Sequence, residues 1–414
     1  MPPQTQALNP FAAEVIEDPY PVYAALREQG VVFSPDAGAW MVSRFDDVRD
    51  VLRSHDRFSS ELNGQRGTED PELAAVAARG LRRVSVLSNA DPPEHTWYRR
   101  LVAPRFTPNG LRGLHELIDG IVNHLIDDFV ERGSCDLIEE FCVPFPAHVF
   151  GALMGTDPAD IPLLRGWADD RSEALGWDAG LVTKPRMIEL IESNLEMQSY
   201  LLTLIERVRR EPRDDLLSLM VHGKIPGFGD RSLEDDELMS MLQILLDGGN
   251  ETTINLLGSG TSLLLAEPEQ LALLRDDPAL IPNAVEEMLR VESPVQALFR
   301  TARHETEVGG VEVPAGAKLV VLYGSANRDE RRWPDPARFD VRRADAKDGL
   351  QFGAGIHFCI GAHLARLEGK LAFEALLRRL PGLRLAEGVE QLRHRPSPIL
   401  RSLVSLPVTW DAAA

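Results

Sequence analysis

One cysteine in the C-terminal part of the chain lies in a frame of glycines. Within the segment FGAGIHFCIG (352–361), Gly353 and Gly355 precede Cys359 and Gly361 follows it. Glycine permits positive φ angles and a close approach of the backbone to a flat ligand. A helical pattern begins directly after the cysteine, so its thiol would lie at a helix N-terminus, where free N–H groups and the helix dipole stabilise a thiolate. A thiolate held in this way can bind haem iron.

Other interpretations of this cysteine are open from the residues alone. A lone cysteine is more often an inert buried side chain than a ligand. Zinc is disfavoured because no second cysteine or histidine pair stands at structural-site spacing, although His357 and His363 flank Cys359. A dinucleotide loop is disfavoured because the third glycine, three residues after Gly355, is missing. A thiol enzyme that uses Cys359 with one of these histidines as base also remains open.

A long apolar segment earlier in the chain contains residues that are unfavourable in a buried helix. Apolar side chains surround the helix axis between Leu238 and Leu246, and the pattern continues to Ala266. Ser232 can cap this helix, with acidic residues following in the first turn. The centre is DGGNETT (247–253), where each glycine costs roughly 1 kcal/mol relative to alanine, and a buried acid costs more unless it is paired. This pattern predicts either a functional site within one helix or two helices joined at the glycines.

Composition restricts the class of protein. The 414 residues are 44% hydrophobic and 26% charged, as in a globular protein with a large core. The formal net charge of −20 argues against nucleic-acid binding, which needs a basic surface. Three cysteines are too few for a disulfide framework. The N-terminal segment resembles neither a signal peptide nor a membrane span, so we expect a cytoplasmic protein without a membrane anchor.

The elements that would position these residues are mainly helical. From Glu94 to Glu287 apolar residues recur at three- and four-residue spacing. Strand patterns occur chiefly near the two ends of the chain: a hairpin at 30–43, strands at 297–303, 308–313 and 317–322, and short pieces near 382–386 and 403–410. The sequence shows no internal repeat and no linker. It therefore predicts one α+β domain over residues 1–414, mainly helical with small sheets.

Five segments resemble the cytochrome P-450 family, and they follow the family's order and spacing. FGAGIHFCIGAHLAR (352–366) resembles the haem-ligand signature, and LLDGGNETT (245–253) resembles the distal oxygen-binding helix. The other segments are the Glu-x-x-Arg pair at 287–290, the loop before the haem ligand at 327–339, and DPPEHTWYRRLV (91–102), which resembles the helix that meets the haem propionates. Together they cover essentially the whole chain, which is most similar to the soluble bacterial class.

The resemblance implies a fold and a role for particular residues. Haem b would lie between a long central distal helix and the N-terminus of the proximal helix, with Cys359 as the iron ligand. Glu251 and Thr252 match the acid–alcohol pair that delivers protons to bound dioxygen. Cofactor contacts are implied for His95, Arg99, Gly249, Arg300, Phe352, His357 and Gly361. A structural ion network is implied for Glu287, Arg290 and Arg338. Substrate contacts are implied for Asp247, Gly248, Val295, Gln296, Leu298 and Ile399.

The implied function is that of a haem-thiolate monooxygenase, which inserts one oxygen atom from O2 into a lipophilic small molecule by hydroxylation or epoxidation. Its electrons would come from a ferredoxin-type donor and an NAD(P)H reductase, because three cysteines cannot supply a four-cysteine cluster beside Cys359. The alternative is a non-catalytic haem-binding sensor or ligand carrier, which would not need a proton-delivering pair. Asp247 is acidic where the family commonly has an apolar residue, so it would meet a hydroxyl or amine of the substrate, unless it is bonded within the protein.

Overall fold

The computed structural model describes residues 10–12, 15–61, 70–177, 180–225, 227, 231–389, 391–397 and 399–411. Within these ranges the α-helices are α1 (Tyr20–Gln29), α2 (Phe45–Arg53), α3 (Pro71–Ala77), α4 (Glu94–Val102), α5 (Leu114–Asp127), α6 (Pro144–Met154), α7 (Ile161–Ala174), α8 (Lys184–Arg210), α9 (Leu216–His222), α10 (Asp235–Ala266), α11 (Pro268–Asp276), α12 (Ile281–Val291), α13 (Tyr323–Ala326) and α14 (Ala362–Arg379). The strands are β1 (Val32–Ser34), β2 (Ala39–Val42), β3 (Phe58–Ser59), β4 (Ser134–Asp136), β5 (Ala297–Ala302), β6 (Thr306–Val308), β7 (Val311–Val313), β8 (Lys318–Leu322), β9 (Arg384–Leu385) and β10 (Pro407–Thr409). The prediction of a mainly helical α+β fold with small sheets is confirmed.

Two compact units alternate along the sequence. The first takes its described residues from Met1–Asn63, Asn255–Cys359 and Glu387–Leu406, and the second from Gly64–Ile254, Ile360–Ala386 and Pro407–Ala414. The prediction of a single domain over the whole chain stays a prediction. None of the helices in the described ranges combines the length and the apolar composition that a membrane span requires.

The first unit is built on a five-stranded sheet with the order β1-β2-β8-β5-β3. β1 and β2 form the hairpin that the sequence predicts at 30–43, and β2 continues into a parallel pairing with β8. Helix α2 packs on this sheet through Phe45, Val48 and Leu52, which are buried. The first N–H of α2, that of Phe45, donates to Oδ2 of Asp329 at 2.8 Å. These contacts fix α2, whose C-terminal end lies under the cysteine loop.

A second, smaller sheet in this unit corrects one predicted strand. Residues 308–313 do not form a single strand but belong to a hairpin in which β6 and β7 pair across Gly309 and Gly310. Both glycines have positive φ, 58° and 81°. Two consecutive positive φ angles give the tight turn that suits the twist of a hairpin, and glycine adopts them without strain.

The second unit is mainly helical, with the short sheet β4-β10-β9. Helix α5 buries Ile118, Val122 and Leu125, which recur at helical spacing. This helix packs against α14, and α7 packs against α8. The pairing fixes α14, the helix that follows the cysteine loop, against α5 within the second unit.

Helix α10 is continuous from Asp235 to Ala266, so the alternative of two helices joined at the glycines is wrong. The helix begins later than a cap at Ser232 would require. Oε2 of Glu237 accepts the backbone N–H of Glu234 at 2.8 Å, and Oε1 of Glu237 accepts the hydroxyl of Tyr98 at 2.7 Å. The side chain of Glu237 therefore satisfies a backbone donor at this helix end, where the sequence suggests a serine.

Candidate active site

Cys359 ends a glycine-rich loop of the first unit, directly ahead of α14. Its N–H donates to the carbonyl oxygen of Phe352 at 2.8 Å, which closes the loop. Gly353 and Gly355 have φ of +71° and +72°, a region that strongly favours glycine. A Cβ on Gly355 would come within 2.5 Å of the carbonyl oxygen of Leu52, at the end of α2. The loop therefore needs these glycines, and it presents Cys359 as an exposed residue.

The other two cysteines are unsuited to bind a metal. Cys135 and Cys142 are both buried. Burial raises the pKa of the Cys135 thiol to about 12 and the pKa of the Cys142 thiol well above its usual range. Since the thiolate rather than the thiol is the metal ligand, both residues are poor ligands at neutral pH. Of the three cysteines, Cys359 is the one placed to act as a ligand.

A buried cation in the first unit has no counter-charge among the residues that the structure describes. Arg300 is 3% exposed. Its Nη1 donates to the carbonyl oxygen of Phe299 at 2.7 Å, and its side chain also bonds to the hydroxyl of Tyr323. Among the described residues it forms no ion pair. Because a buried charge is costly unless an opposite charge accompanies it, Arg300 fits an anionic group of a bound cofactor, as the propionates of haem would supply.

The remaining predicted cofactor residues are divided between the two units. In the second unit His95 and Arg99 lie four residues apart on α4, so they share one helix face. His95 is buried and Arg99 is half-buried. In the first unit His357 ends the short turn that precedes Cys359, and Phe352 is half-buried in the same loop. Gly361 is the N-cap residue, directly before the first residue of α14.

The centre of α10 is open on one side. Asp247, Gly248 and Gly249 are exposed, whereas the residues on both sides are mostly buried. A Cβ added to either glycine would meet no atom within 4 Å, so both lie beside free space. The hydroxyl of Thr252 donates to the carbonyl oxygen of Gly248 at 2.6 Å, and Glu251 is buried. The helix thus holds a hydroxyl and a carboxyl one residue apart, next to a gap that a small ligand could enter.

Asp247 has protein partners on both carboxylate oxygens. Nε and Nη2 of Arg171 each donate to one oxygen at 2.6 Å. Nη1 of Arg171 donates in turn to Oδ1 of Asn194 at 2.7 Å, which also accepts Nε2 of Gln243 at 3.0 Å. Of the two alternatives that the sequence leaves open for Asp247, the structure shows the bond within the protein. Arg171 lies 76 residues before Asp247, and no sequence pattern links the two.

The other predicted substrate residues lie together in the first unit. Val295 pairs with Leu400 in an isolated β-bridge, and the N–H of Gln296 donates to the carbonyl oxygen of Ile399 at 2.7 Å. The amide of Gln296 is buried and donates to the carbonyl oxygen of Ser293 at 2.6 Å. Val295, Leu298 and Ile399 are partly exposed. These three apolar side chains are therefore only partly covered, although Leu298 also packs against the core, whereas Gln296 has a structural bond.

Comparison with known proteins decides the family. The family profile described as cytochrome P-450 matches residues 185–383. The 6-deoxyerythronolide B hydroxylase of Saccharopolyspora erythraea is 37% identical over 401 residues, which cover 95% of this chain and 96% of that protein. The vitamin D(3) 25-hydroxylase of Pseudonocardia autotrophica is 36% identical over 409 residues, covering 98% and 97%. The chain belongs to the cytochrome P-450 family.

The solved structures agree with this assignment. The cytochrome P-450 CREJ in complex with (4-ethylphenyl) dihydrogen phosphate has a TM-score of 0.89 and 30% identity, and the match covers 97% of this chain and 99% of that one. This cytochrome P-450 therefore has the family's fold and is an oxidoreductase of the monooxygenase class. The family binds haem b through a cysteine thiolate.

A buried ion pair and a second cation surround Glu287 in this cytochrome P-450, and the second cation is not the predicted Arg338. Arg290 donates through Nε and Nη2 to the two carboxylate oxygens of Glu287 at 2.7 and 2.8 Å, and both side chains are fully buried. The second cation on Glu287 is Arg343, whose Nε lies 2.9 Å from Oε1. The side chain of Arg338 is 63% exposed, and only its carbonyl oxygen joins the network, as an acceptor of Arg290.

Replacement of Arg343 by alanine is expected to lower the free energy of unfolding by about 3 kcal/mol, because it removes one partner of a buried charge. Arg338→Ala is the matched control, and its effect should stay within about 0.5 kcal/mol because that side chain is on the surface. Urea unfolding of both variants measures the difference. Equal losses in the two variants would contradict the assignment of Arg343.

A buried acid links two helices of the second unit. The hydroxyl of Thr253 on α10 donates to Oε2 of Glu368 on α14 at 3.1 Å. Burial raises the pKa of Glu368 from its ordinary 4.5 to about 8, although the bond from Thr253 lowers it. The folded protein therefore carries a neutral carboxylic acid at this position at neutral pH.

We expect Glu368 to make stability fall as the pH rises. Between pH 4.5 and about 8 the folded chain keeps a proton that the unfolded chain has lost, so the free energy of unfolding decreases by about 1.4 kcal/mol per pH unit. Glu368→Gln should remove this slope. The free energy of unfolding is measured with urea at about pH 5.5 and 7.5. Between these two pH values it should fall by about 3 kcal/mol more in the wild type than in Glu368→Gln. Glu374→Gln, on the same helix but half-buried, should keep the wild-type slope. An unchanged slope in Glu368→Gln would refute the prediction.

Proposed function

We propose that this cytochrome P-450 inserts one oxygen atom from O2 into a lipophilic small molecule, with Cys359 as the ligand of its haem iron. The observation that carries the proposal is the loop before α14. Two glycines with positive φ and the bond from the Cys359 N–H to Phe352 hold one exposed cysteine at a helix N-terminus. The helix dipole and the free N–H groups there favour the thiolate form.

When bound through a cysteine thiolate, haem supplies the activation of dioxygen, and the electron-rich thiolate favours cleavage of the O–O bond. The residues of this chain hold the cofactor and control its surroundings. Arg300 would place its buried charge against a propionate, since it has no carboxylate partner among the described residues. His357, in the same unit, would add a hydrogen bond to that propionate edge, and His95 and Arg99 stay predicted propionate contacts.

The open side of α10 is assigned to dioxygen and to proton delivery. Gly248 and Gly249 leave free space beside the helix. The hydroxyl proton of Thr252 is donated to the carbonyl oxygen of Gly248, so its oxygen would accept a hydrogen bond from a water beside the glycines and orient that water. Glu251 would supply protons from solvent-linked groups, and the buried position limits leakage of protons from elsewhere.

A lipophilic substrate is supported by the apolar residues that stay partly exposed. Val295, Leu298 and Ile399 belong to this set, and ligand pockets are mostly lined by such side chains. The relatives' names include 6-deoxyerythronolide B and vitamin D(3) hydroxylases, which suggests a hydroxylation here too. Electrons would come from a ferredoxin-type donor and its NAD(P)H reductase, because three cysteines in the sequence cannot bind an iron–sulfur cluster beside Cys359.

Turnover under isotopically labelled dioxygen tests the proposal. The haem-loaded protein is combined with a surrogate ferredoxin, its reductase and NAD(P)H, and a panel of lipophilic compounds is screened for products by mass spectrometry. We expect a product that contains one oxygen atom from O2 for each molecule converted. Haem-loaded protein that accepts electrons but yields no labelled product from any compound would instead indicate a non-catalytic haem carrier.

A further inference from the structure

A polar pocket lies entirely within the second unit, beside the centre of α10. Its polar lining consists of Arg83, Asn89, Arg171, Ser240, Gln243 and Asp247. Three apolar residues complete it. Asp247 directly precedes Gly248, the first of the two glycines beside free space. The pocket therefore borders the stretch of helix that we assign to dioxygen, and a substrate reaching that stretch would have its polar end here.

Arg83 is the exposed cation of this pocket. In the part of the chain that the structure describes, its guanidinium makes no hydrogen bond and no ion pair. The pocket walls remove part of the water around Arg83 and lower its pKa, and the like charge of Arg171 lowers it further, while Asp247 acts in the opposite direction. The surroundings of Arg83 thus leave its positive charge incompletely stabilised.

The charges of the pocket leave a surplus of one cation. Asp247 is bonded through both oxygens to Arg171, so these two charges neutralise each other. Asp247 is the one carboxylate among the described lining residues, and both of its oxygens are bonded to Arg171, so the guanidinium of Arg83 has no carboxylate bonded to it there. An anion entering the pocket would form charge-assisted hydrogen bonds with the guanidinium, whereas a wholly apolar group would cover it without any compensating bond.

We infer that the substrate of this cytochrome P-450 is a lipophilic molecule with an anionic oxygen headgroup, a carboxylate or a phosphate monoester, and that Arg83 binds this headgroup. The inference rests on the proposed monooxygenase function and narrows its substrate class. Both headgroups match the planar fork of a guanidinium, which can donate two parallel N–H bonds. Arg83 is thus a specificity-determining residue that would fix which end of the substrate lies away from the reacting carbon.

Calorimetric binding to the haem-loaded protein tests the inference. The probes are matched sets of a carboxylic acid, its methyl ester and the corresponding phosphate monoester, on straight-chain, aryl, terpenoid and steroid skeletons. We expect at least one acid or phosphate to bind roughly 10- to 100-fold more tightly than its neutral ester. Arg83→Gln should abolish this preference, and Arg83→Lys should keep part of it. The tighter of the two anions identifies the headgroup.

Arg82→Gln is the matched control. Arg82 is 78% exposed, its Nε lies 3.5 Å from Oδ2 of Asp236, and it does not line the pocket, so its variant should keep the preference for anions. Failure of every acid and phosphate to bind, affinities equal to those of the esters, or a preference that survives Arg83→Gln would each overturn the inference. Calorimetry does not depend on turnover. Incorporation of labelled oxygen without a preference for anions overturns only the inference, whereas a preference for anions without incorporation overturns only the proposed function.

Discussion

Replacing Cys359 by alanine is expected to abolish turnover and to remove the spectrum of a thiolate-ligated haem. The loss of activity should exceed the ~10²–10⁴-fold that a single proton-transferring group contributes, because the ligand to the reacting metal is itself removed. The variant should still fold, since Cys359 is exposed and its bond to Phe352 is made by the backbone, which the substitution keeps. Product formation and the absorption spectrum after loading with haem measure the effect.

Cys135→Ala is the control for this substitution. Cys135 is a buried thiol in β4 with a raised pKa, so its replacement should leave both the spectrum and the turnover number close to those of the wild type. A Cys359→Ala protein that kept the wild-type spectrum, or a Cys135→Ala protein that lost it, would place the iron ligand elsewhere.

Replacing Thr252 by alanine is expected to separate electron consumption from product formation. Without the hydroxyl, the water that would deliver protons loses its hydrogen-bond partner, and dioxygen would take up two electrons and two protons and leave as hydrogen peroxide without oxidising the substrate. We expect the yield of product per NAD(P)H to fall roughly 10- to 100-fold. This is the low end of the loss expected when a proton-transferring group is removed, because water can enter the space beside the glycines. Consumption of NAD(P)H should continue, and peroxide should account for most of it.

Thr252→Ser is the matched variant, because it keeps a hydroxyl that can donate to the carbonyl oxygen of Gly248. It should recover most of the product yield. If Thr252→Ala were as well coupled as the wild type, or if Thr252→Ser were as uncoupled as the alanine variant, proton delivery would not depend on this hydroxyl. The measurement is the ratio of product to peroxide in the reconstituted system.

The cysteine loop was predictable because its signal is local. Gly353, Gly355 and Cys359 lie within seven positions, and the backbone geometry that the glycines serve follows directly from residue type. The same holds for Glu287 and Arg290, whose three-residue spacing places them on one face of α12. Local patterns of this kind predict both an element and the direction of its side chains.

Interactions across long stretches of sequence could not be predicted in the same way. Arg171 and Asp247 are 76 positions apart and lie on two different helices, so the bond between them depends on tertiary packing. The choice of Arg343 over Arg338 depends on the irregular backbone between them, which turns one guanidinium inward and the other to solvent. The unbroken course of α10 through two glycines likewise reflects tertiary packing, because helix propensity alone favours a break there.

The carbon monoxide spectrum of the reduced wild-type protein tests the central assignment, Cys359 thiolate on haem iron, most directly. The protein is expressed with haem available, reduced with dithionite and exposed to carbon monoxide. We predict one haem per chain and the strongly red-shifted Soret band that thiolate-ligated haem shows with carbon monoxide. A protein that takes up no haem, or a Soret band at the position of histidine-ligated haem under conditions in which the chain is folded, would contradict the account.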